Sequence, residues 1–328
     1  MSPRVAVLST SYPRTPGDAA GHFVASEVRR LVRAGHEVHV FAPGAGRASD
    51  DGAELHWLGD RGAFGWPGAL PRLREDPLRA LGMAEFALRA RRALRTSGAF
   101  QRVQAHFLMP SGWPITTLSF APGEATGIEL VGHGSDVRAF CRLPKGLRKH
   151  IARAWLARRA LLRVTSHELA ALIGAKNPEL IGALRVEPSP LDVGEVPERT
   201  AARRALGLAA AAPIAVIVSR LIPEKRVGHA LEALSRLSQL AVVVVGDGPE
   251  LADLRARFPR VRFTGRVARP EALRFIAAAD VLVSASREEG APTVVREARQ
   301  LGVPVVAVAA GDLAEWARTD PGIHLVQG

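Results

Sequence analysis

The chain has a single cysteine, Cys141, among its 328 residues. One thiol excludes an internal disulfide and a zinc cluster built from cysteines, and it is typical of a reducing compartment. No apolar run reaches the roughly 18 residues that a membrane-spanning helix needs. The amino-terminal MSPRVAVLSTSYP has no long apolar core of the signal-peptide kind. We therefore expect a cytoplasmic protein, either soluble or peripheral on the inner face of the plasma membrane.

Lysine is scarce, with four residues among the 44 basic ones, and aromatic residues make up only 5%. The net charge of +12 suggests an anionic partner, although an arginine-rich chain also arises in a GC-rich genome. The low aromatic content and the lack of a recognised binding module argue against nucleic acid. The cationic segment 142–163 has two equal interpretations: a membrane-surface helix around Trp155, or a core helix with an arginine-rich outer face.

Length and composition predict two α/β domains. The chain exceeds the usual size of one compact domain, and 47% of its residues are hydrophobic. Apolar β-rich runs alternate with segments of helical period, which predicts doubly wound parallel sheets covered on both faces. A proline-rich segment, Pro188 to about Pro197, is interpreted as the hinge, so we expect domains at 1–190 and 191–328 facing across a cleft. The predicted strand runs are RVAVLS, HEVHVFAP, RVQAH, IELVGHG and LLRVTS in the first domain, and PIAVIVSR, LAVVVVGDG, RVRFTG, ADVLVSAS and VPVVAVAA in the second.

The common nucleotide fingerprints are missing. The sequence contains no G-x-x-x-x-G-K-[ST], and no G-x-G-x-x-G follows its first strand. The fragment GDGPEL has two glycines of such a loop and is weak evidence alone. His36 and His39 would point to opposite faces of a strand, so the histidine pattern predicts no metal site.

The stretch REEGAPTVVREAR, residues 287–299, holds three acids, of which Glu289 and Glu297 are the candidates for a functional role. It follows a predicted buried strand, and a helix is expected to begin near Pro292. Free amides near Thr293 would attract a phosphate, with one acid on each side to accept hydrogen bonds from sugar hydroxyls. The alternative is that Glu289 lies in a solvated loop and that Glu297 pairs with Arg296 or Arg299.

Two cations, Arg220 and Lys225, follow the first strand of the second domain in VSRLIPEKR. There they could clamp a diphosphate and stabilise its charge as it leaves. The alternative is two exposed cations in an arginine-rich chain. Their position past the carboxyl end of a strand favours the clamp.

In this order SRLIPEKR, VVVVGDGPEL, VRFTGRV and EGAPTVVREARQLGVPVVA resemble the donor domain of glycosyltransferase family 4, group 1 type enzymes of the GT-B fold. The first half is similar through AGHEVHVFAP, AHFLMPSGW and GHGSDV. The resemblance implies a GT-B protein of two Rossmann-like domains. It also implies closing C-terminal helices in related proteins, which the second domain is expected to lack.

The resemblance implies catalytic roles for four residues. Arg220 and Lys225 would hold the diphosphate, and Glu289 would bind the hydroxyls of the donor sugar. His133 would lie against that sugar, where it steadies positive charge at the anomeric carbon.

Donor-binding roles are implied for further residues. Glu297 would bind the ribose hydroxyls, and the loop TPGDAAGHF would approach the phosphates or the acceptor. Asp136 is either an acceptor contact or, more in keeping with its place after a strand, a cap of the turn. The other implied donor-binding positions are Gly17, Gly21, Gly290, Ala291, Pro292 and Thr293.

The implied activity is metal-independent, retaining transfer of a hexose-type sugar from a nucleotide-diphosphate sugar to a glycan or lipid-linked acceptor, in cell-envelope or exopolysaccharide synthesis. No cofactor is expected beyond the donor substrate. Two alternatives stay open: a non-catalytic glycan-binding or assembly protein on the same scaffold, and a sugar-nucleotide epimerase of the same fold.

Overall fold

The computed structural model of the chain describes residues 2–65, 72–73 and 75–327. Met1 and Gly328, the outer limits of the two predicted domains, lie outside the described residues.

The chain divides into two compact units, which we call unit 1 (Met1–Pro190) and unit 2 (Leu191–Gly328). The division falls inside the proline-rich segment Pro188–Pro197.

Unit 1 contains an eight-stranded sheet. Its strands are β1 (Arg4–Ser9), β2 (Glu37–Pro43), β3 (Ser49–Asp50), β4 (Ala53–Leu58), β5 (Arg102–His106), β6 (Gly127–Gly132), β7 (Leu161–Val164) and β8 (Leu184–Val186). Their order is β3-β4-β2-β1-β5-β6-β7-β8. Neighbours pair in parallel, except that β3 and β4 are antiparallel.

Helices connect these strands. They are α1 (His22–Arg33), α2 (Arg79–Thr96), α3 (Thr117–Ser119), α4 (Ser135–Arg142), α5 (Lys145–Ala157) and α6 (His167–Lys176), with a 3₁₀ turn at Pro178–Ala183. The predicted helical stretch after β5 is irregular instead: Leu108–Thr116 has extended backbone at Met109 and Trp113 and contains two prolines. Prolines lack the N–H that a regular helix needs, which explains the departure.

The sheet of unit 1 is buried on both faces. Along β1, Ala6 and Leu8 belong to one apolar cluster, whereas Val5 and Val7 belong to another. Successive side chains of a strand point to opposite faces, so an unbroken apolar run requires cover on both sides. The sequence pattern RVAVLS therefore specifies a central strand of a doubly wound sheet.

Unit 2 repeats the plan with six strands, all parallel, in the order β11-β10-β9-β12-β13-β14. The strands are β9 (Ile214–Val218), β10 (Ala241–Val245), β11 (Arg262–Gly265), β12 (Val281–Ser284), β13 (Val305–Val308) and β14 (Ile323–Val326). The helices are α7 (Arg199–Ala205), α8 (Val227–Leu234), α9 (Leu251–Arg257), α10 (Arg269–Ala278), α11 (Thr293–Gln300) and α12 (Leu313–Thr319), with a 3₁₀ turn at Pro223–Lys225.

Counted within unit 2, this is the 3-2-1-4-5-6 strand order of the Rossmann fold. The order reverses between β9 and β12 in unit 2, and between β1 and β5 in unit 1. Open parallel sheets bind ligands outside the carboxyl ends of their strands at such a reversal. The segments that follow these four strands are therefore the first places to look for a site.

The cationic segment 142–163 forms α5, which contains Trp155, followed by β7, which contains Leu161 and Leu162, so the expected helix around Trp155 is present. Trp155 is fully buried and packs on Phe140, and Ile151 is buried in the same cluster. The apolar face of α5 thus covers the unit's own core, which favours the core-helix interpretation. Within residues 2–65, 72–73 and 75–327, no helix has the length and apolar character needed to cross a membrane.

Candidate active site

In unit 2 an ion pair lies at the reversal of the strand order. Lys225 ends the 3₁₀ turn after β9, and Glu289 follows β12, the neighbouring parallel strand. The Lys225 Nζ lies 2.5 Å from Glu289 Oε1, with both side chains largely buried. The backbone N–H of Arg287 also donates to the Glu224 carbonyl at 2.9 Å, which ties the two segments together. Residues 64 apart in sequence are thus brought together at one sheet edge.

Glycines let two pairs of loops approach closely at the carboxyl ends of the strands in unit 2. A Cβ on Gly246 would lie 1.8 Å from the Ser219 carbonyl oxygen, and one on Gly248 would lie 2.3 Å from that of Leu221. The glycines of GDGPEL therefore make room for the segment that carries Arg220. A Cβ on Gly311 would similarly lie 2.2 Å from the Gly290 carbonyl oxygen.

Glu297, on the second turn of α11, is buried and paired. Its Oε1 accepts from Arg269 Nη2 at 2.8 Å, and the same nitrogen donates to the Asp192 carbonyl at 2.6 Å. The expected alternative partners were Arg296 and Arg299. Arg299 instead binds Asp320 through two hydrogen bonds of 2.8 and 2.9 Å. Burial lowers the pKa of Arg296 while the charge of Glu297 acts to raise it, so Arg296 does interact with Glu297.

The start of α11 presents its first amides beside these groups. The helix begins at Thr293 and Pro292 directly precedes it, so the expected helix start near Pro292 is confirmed. A proline side chain cannot accept a hydrogen bond, so it does not cap the amides that begin at Thr293. Gly290 and Ala291 form the turn that leads into the helix, and Arg220 is exposed after β9. Amides at a helix start favour an anion.

In unit 1, His133 follows the carboxyl end of β6 and begins a chain of buried polar groups. Its Nε2 lies 3.0 Å from Nδ1 of His106, the last residue of β5. The His106 Nε2 lies 3.2 Å from Gln104 Oε1, and Gln104 Nε2 donates to Glu27 Oε1 at 3.2 Å. Arg163, only 2% exposed, lies 3.3 Å from Glu27 Oε2.

These contacts assign the proton on each ring. A carboxylate only accepts, so the amide nitrogen of Gln104 faces Glu27 and its oxygen faces His106. His106 therefore carries its hydrogen on Nε2, and its bare Nδ1 accepts from His133 Nε2–H. His133 is left with a bare Nδ1. Burial lowers the pKa of both rings well below the ordinary value, aided by Arg163, so both are neutral at pH 7.

Gly17 and Gly21 lie in the loop after β1, which with β5 forms the reversal of strand order in unit 1. Both have left-handed backbones, with φ of 80° and 68°. A Cβ on Gly21 would lie 2.3 Å from the Ser11 carbonyl oxygen, so the loop needs glycine there. Gly21 precedes α1, whose Phe23 packs on His133 at 4.6 Å between ring centroids. The glycine loop thus positions a neighbour of His133.

Asp136 lies in the first turn of α4 and binds the backbone of the turn that precedes the helix. Its carboxylate accepts from the backbone N–H groups of Leu108 at 2.7 Å and of His133 and Gly134 at 3.0 Å each. Burial raises its pKa, while these amides act in the opposite direction. The side chain therefore fixes the backbone around His133.

A cluster of possible metal ligands lies elsewhere in unit 1. The ligand atoms of His39 on β2 and of Glu54 and His56 on β4 lie within 4.8 Å of one another. The sequence pattern did not suggest it, because the partner of His39 is His56 on the neighbouring strand and not His36.

Residues 212–327 match the family model described as glycosyl transferases group 1. The chain is 32% identical over 221 residues to the putative teichuronic acid biosynthesis glycosyltransferase TuaC of Bacillus subtilis, covering 65% of this chain and 54% of TuaC. It is also 29% identical over 329 residues to a GDP-mannose-dependent alpha-mannosyltransferase of Mycobacterium tuberculosis, covering 94% of this chain and 79% of that protein. This chain therefore spans only about half the length of TuaC.

Solved structures share the fold. Sucrose-phosphate synthase from Thermosynechococcus elongatus superposes with a TM-score of 0.76 at 20% identity, covering 99% of this chain and 86% of that one. HepE from Anabaena, in complex with UDP-glucose, gives 0.68 at 18% identity, covering 95% and 82%. The expected GT-B fold and group 1 glycosyltransferase resemblance are confirmed, whereas membership of family 4 in particular stays a prediction.

Sequence reasoning missed the partners that hold the group 1 candidates in place. Arg269 is 28 residues from Glu297 and lies on another helix. His106, Gln104 and Glu27 reach His133 from other strands and helices. One signal was available for His106: it ends the predicted strand RVQAH at the sheet edge where a site was expected. The roles of the predicted site residues stay predictions.

Proposed function

We propose that the protein is a retaining glycosyltransferase that moves a sugar from a nucleoside-diphosphate sugar to a glycan or lipid-linked acceptor in cell-envelope or exopolysaccharide synthesis. The observation that carries the proposal is the Lys225–Glu289 pair at the strand reversal of a group 1 domain. It places a cation for phosphate beside a carboxylate for hydroxyls. The similarity to TuaC and to the mannosyltransferase, both of them glycosyltransferases by name, supports the same chemistry.

In the proposal the diphosphate lies between Arg220, Lys225 and the first amides of α11. These groups stabilise the negative charge that grows on the leaving phosphate. They supply the charge that a metal ion supplies in other transferases, which supports a metal-independent reaction. Glu297, held by Arg269, accepts the ribose hydroxyls, and Glu289 accepts those of the sugar.

The proposed chemistry needs no protein nucleophile. The bond between the anomeric carbon and the phosphate oxygen breaks, and the acceptor hydroxyl attacks from the same face. The leaving phosphate oxygen takes the hydroxyl proton, so configuration is retained. His133 is proposed to steady the cationic sugar, which a neutral ring with a bare Nδ1 does without adding a positive charge.

A thermal-shift screen with UDP, GDP, ADP and their sugars tests the donor. We expect one nucleoside diphosphate and its sugar to raise the melting temperature of the wild type. The Glu297→Gln and Arg220→Ala variants should fold but lose that rise. No rise with any donor would contradict the proposal, and sugar conversion without an acceptor would favour an epimerase.

Peripheral binding to an anionic membrane is proposed only on charge, because Trp155 is buried within unit 1. The net charge of +12 predicts that anionic vesicles sediment more protein than neutral vesicles do, with the difference falling as salt is added. Equal sedimentation with both would contradict it.

A further inference from the structure

We propose that His39, Glu54 and His56 form a binding site for Zn²⁺ that clamps β2 to β4. The two strands are parallel neighbours, and their register pairs His39 with Glu54 and Phe41 with His56. Two imidazoles and a carboxylate are a ligand set that zinc accepts.

The spacing of the ligand atoms fits a tetrahedral ion. Zinc lies about 2.1 Å from nitrogen and oxygen ligands, so two ligand atoms of a tetrahedral site are about 3.4 Å apart. The His39 Nδ1 lies 3.0 Å from His56 Nε2. The Glu54 Oε2 lies 3.5 Å from His39 Nδ1 and the Glu54 Oε1 lies 3.4 Å from His56 Nε2, and one ligand atom from each of the three residues lies within 4.8 Å of the other two. One ion can therefore contact all three side chains, and the fourth position is left for water.

A second carboxylate orients the His39 ring. Its Nε2 lies 2.9 Å from Glu37 Oε1, an acceptor that leaves Nδ1 bare when Nε2 carries the hydrogen. Ligating histidines commonly donate their other N–H in this way. Packing also holds the rings: the His56 ring stacks on Phe41 with centroids 4.6 Å apart, and His39 packs edge-on to Phe100 at 5.5 Å.

The charges at this place allow a cation. Arg4 Nη2 lies 3.1 Å from the same His39 Nε2 and can only donate, so it favours the opposite tautomer to Glu37, and its charge opposes a metal ion. Arg4 Nε binds Glu37 Oε1 at 2.8 Å, and its Nη2 also donates to the Ser97 carbonyl at 3.2 Å. Glu37 thus compensates Arg4, and Glu54 supplies the remaining negative charge.

The site is separate from the proposed transfer chemistry. His39 and Glu54 lie in the first half of their strands, whereas His133 follows the carboxyl end of β6. The cluster and His133 therefore lie toward opposite ends of the parallel strands. In the described sheet, β4 is followed only by the two-residue edge strand β3. A metal ion that bridges β2 and β4 would stabilise this side of the sheet.

Calorimetric titration of the tag-free, chelator-treated full chain with Zn²⁺ tests the site. Glu54→Gln is the primary variant, since its side chain is 61% exposed and its loss spares the core. His56→Gln is the second variant, and His150→Gln, on the exposed side of α5, is the matched control. We expect the wild type and the control to bind one zinc equivalent that both site variants bind at least tenfold more weakly.

Visible absorption of Co²⁺ added in place of zinc gives an independent readout. The wild type should show the intense bands of a tetrahedral site, and Glu54→Gln should not. An affinity for zinc that is unchanged in either site variant would overturn the proposal. The two rings would then share an ordinary hydrogen bond.

Discussion

The Lys225–Glu289 pair shows what single residues contribute to the proposed site. Their charges lie 2.5 Å apart before any ligand binds. A diphosphate would compete with Glu289 for Lys225, while a sugar would engage the carboxylate. Substitution of Lys225 should therefore affect binding of the diphosphate, whereas substitution of Glu289 should affect binding of the sugar.

The Glu289→Gln variant should lose the preference for a sugar nucleotide over the bare nucleoside diphosphate. A hydrogen bond to a charged group is worth about 1.5–3 kcal/mol. The dissociation constant of the nucleoside diphosphate divided by that of the sugar nucleotide should therefore fall roughly 10- to 100-fold. Affinity for the diphosphate alone should hold or rise, because Lys225 is released. Titration calorimetry with both ligands measures this, with the exposed neighbour Glu288→Gln as control. Equal weakening of both ligands would contradict the assignment.

At the scale of elements, strand patterns predicted most of the fold and some of the site. Apolar runs identified ten strands because central parallel strands are buried on both faces. The strand AELHWL was missed, since Glu54 and His56 interrupt its apolar pattern. That omission hid the His39 cluster. Likewise, Glu297 and His133 could be placed after their strands, but Arg269 and His106 depend on packing between distant elements.

The close approach of two loops in unit 2 predicts that alanine is less well tolerated at Gly311 than at Gly302. Gly311 and Gly302 have left-handed φ values of 58° and 73°, but only at Gly311 would a Cβ meet a backbone atom, the Gly290 carbonyl oxygen. Gly302→Ala should cost about 1 kcal/mol of the free energy of unfolding from backbone strain alone. Gly311→Ala should cost more and also weaken donor binding by displacing Gly290. Urea unfolding and donor titration check both, and equal effects of the two variants would contradict this account.

The buried Glu27–Arg163 pair joins α1 to β7 and supports the chain of groups that reaches His133. Glu27→Gln should lower the free energy of unfolding of unit 1 by about 3–5 kcal/mol, because it leaves Arg163 buried with less compensating charge. The matched surface variant Arg89→Gln should cost less than about 1 kcal/mol. Urea unfolding followed by Trp fluorescence compares them, and similar losses would contradict the role of burial.

The same pair predicts acid sensitivity. Although burial acts to raise it, Arg163 and Arg30 hold the pKa of Glu27 below its ordinary value of 4.5. Its contribution to stability is therefore present above about pH 4.5 and is lost as the pH falls through the lower folded pKa. Glu27→Gln should remove this part of the pH dependence. An identical acid profile in wild type and variant would contradict it.

At the scale of the whole molecule, composition predicted two α/β domains but not a partner. The charge of +12 fits a phosphorylated donor as well as an anionic membrane. The ordered motifs of the second half were more specific, because each motif follows a strand of one sheet and the sheet order brings those strand ends together. The sugar, the base and the acceptor depend on loop side chains that carry no such pattern.

The central claim is that unit 2 binds a nucleoside-diphosphate sugar through Glu297 and its neighbours. The most direct measurement is calorimetric titration of the purified chain with the nucleotide that the thermal-shift screen selects. We predict saturable binding at one site, at least tenfold weaker in Glu297→Gln and unchanged in Glu288→Gln. Absence of binding to the wild type, or equal affinity in both variants, would contradict the account.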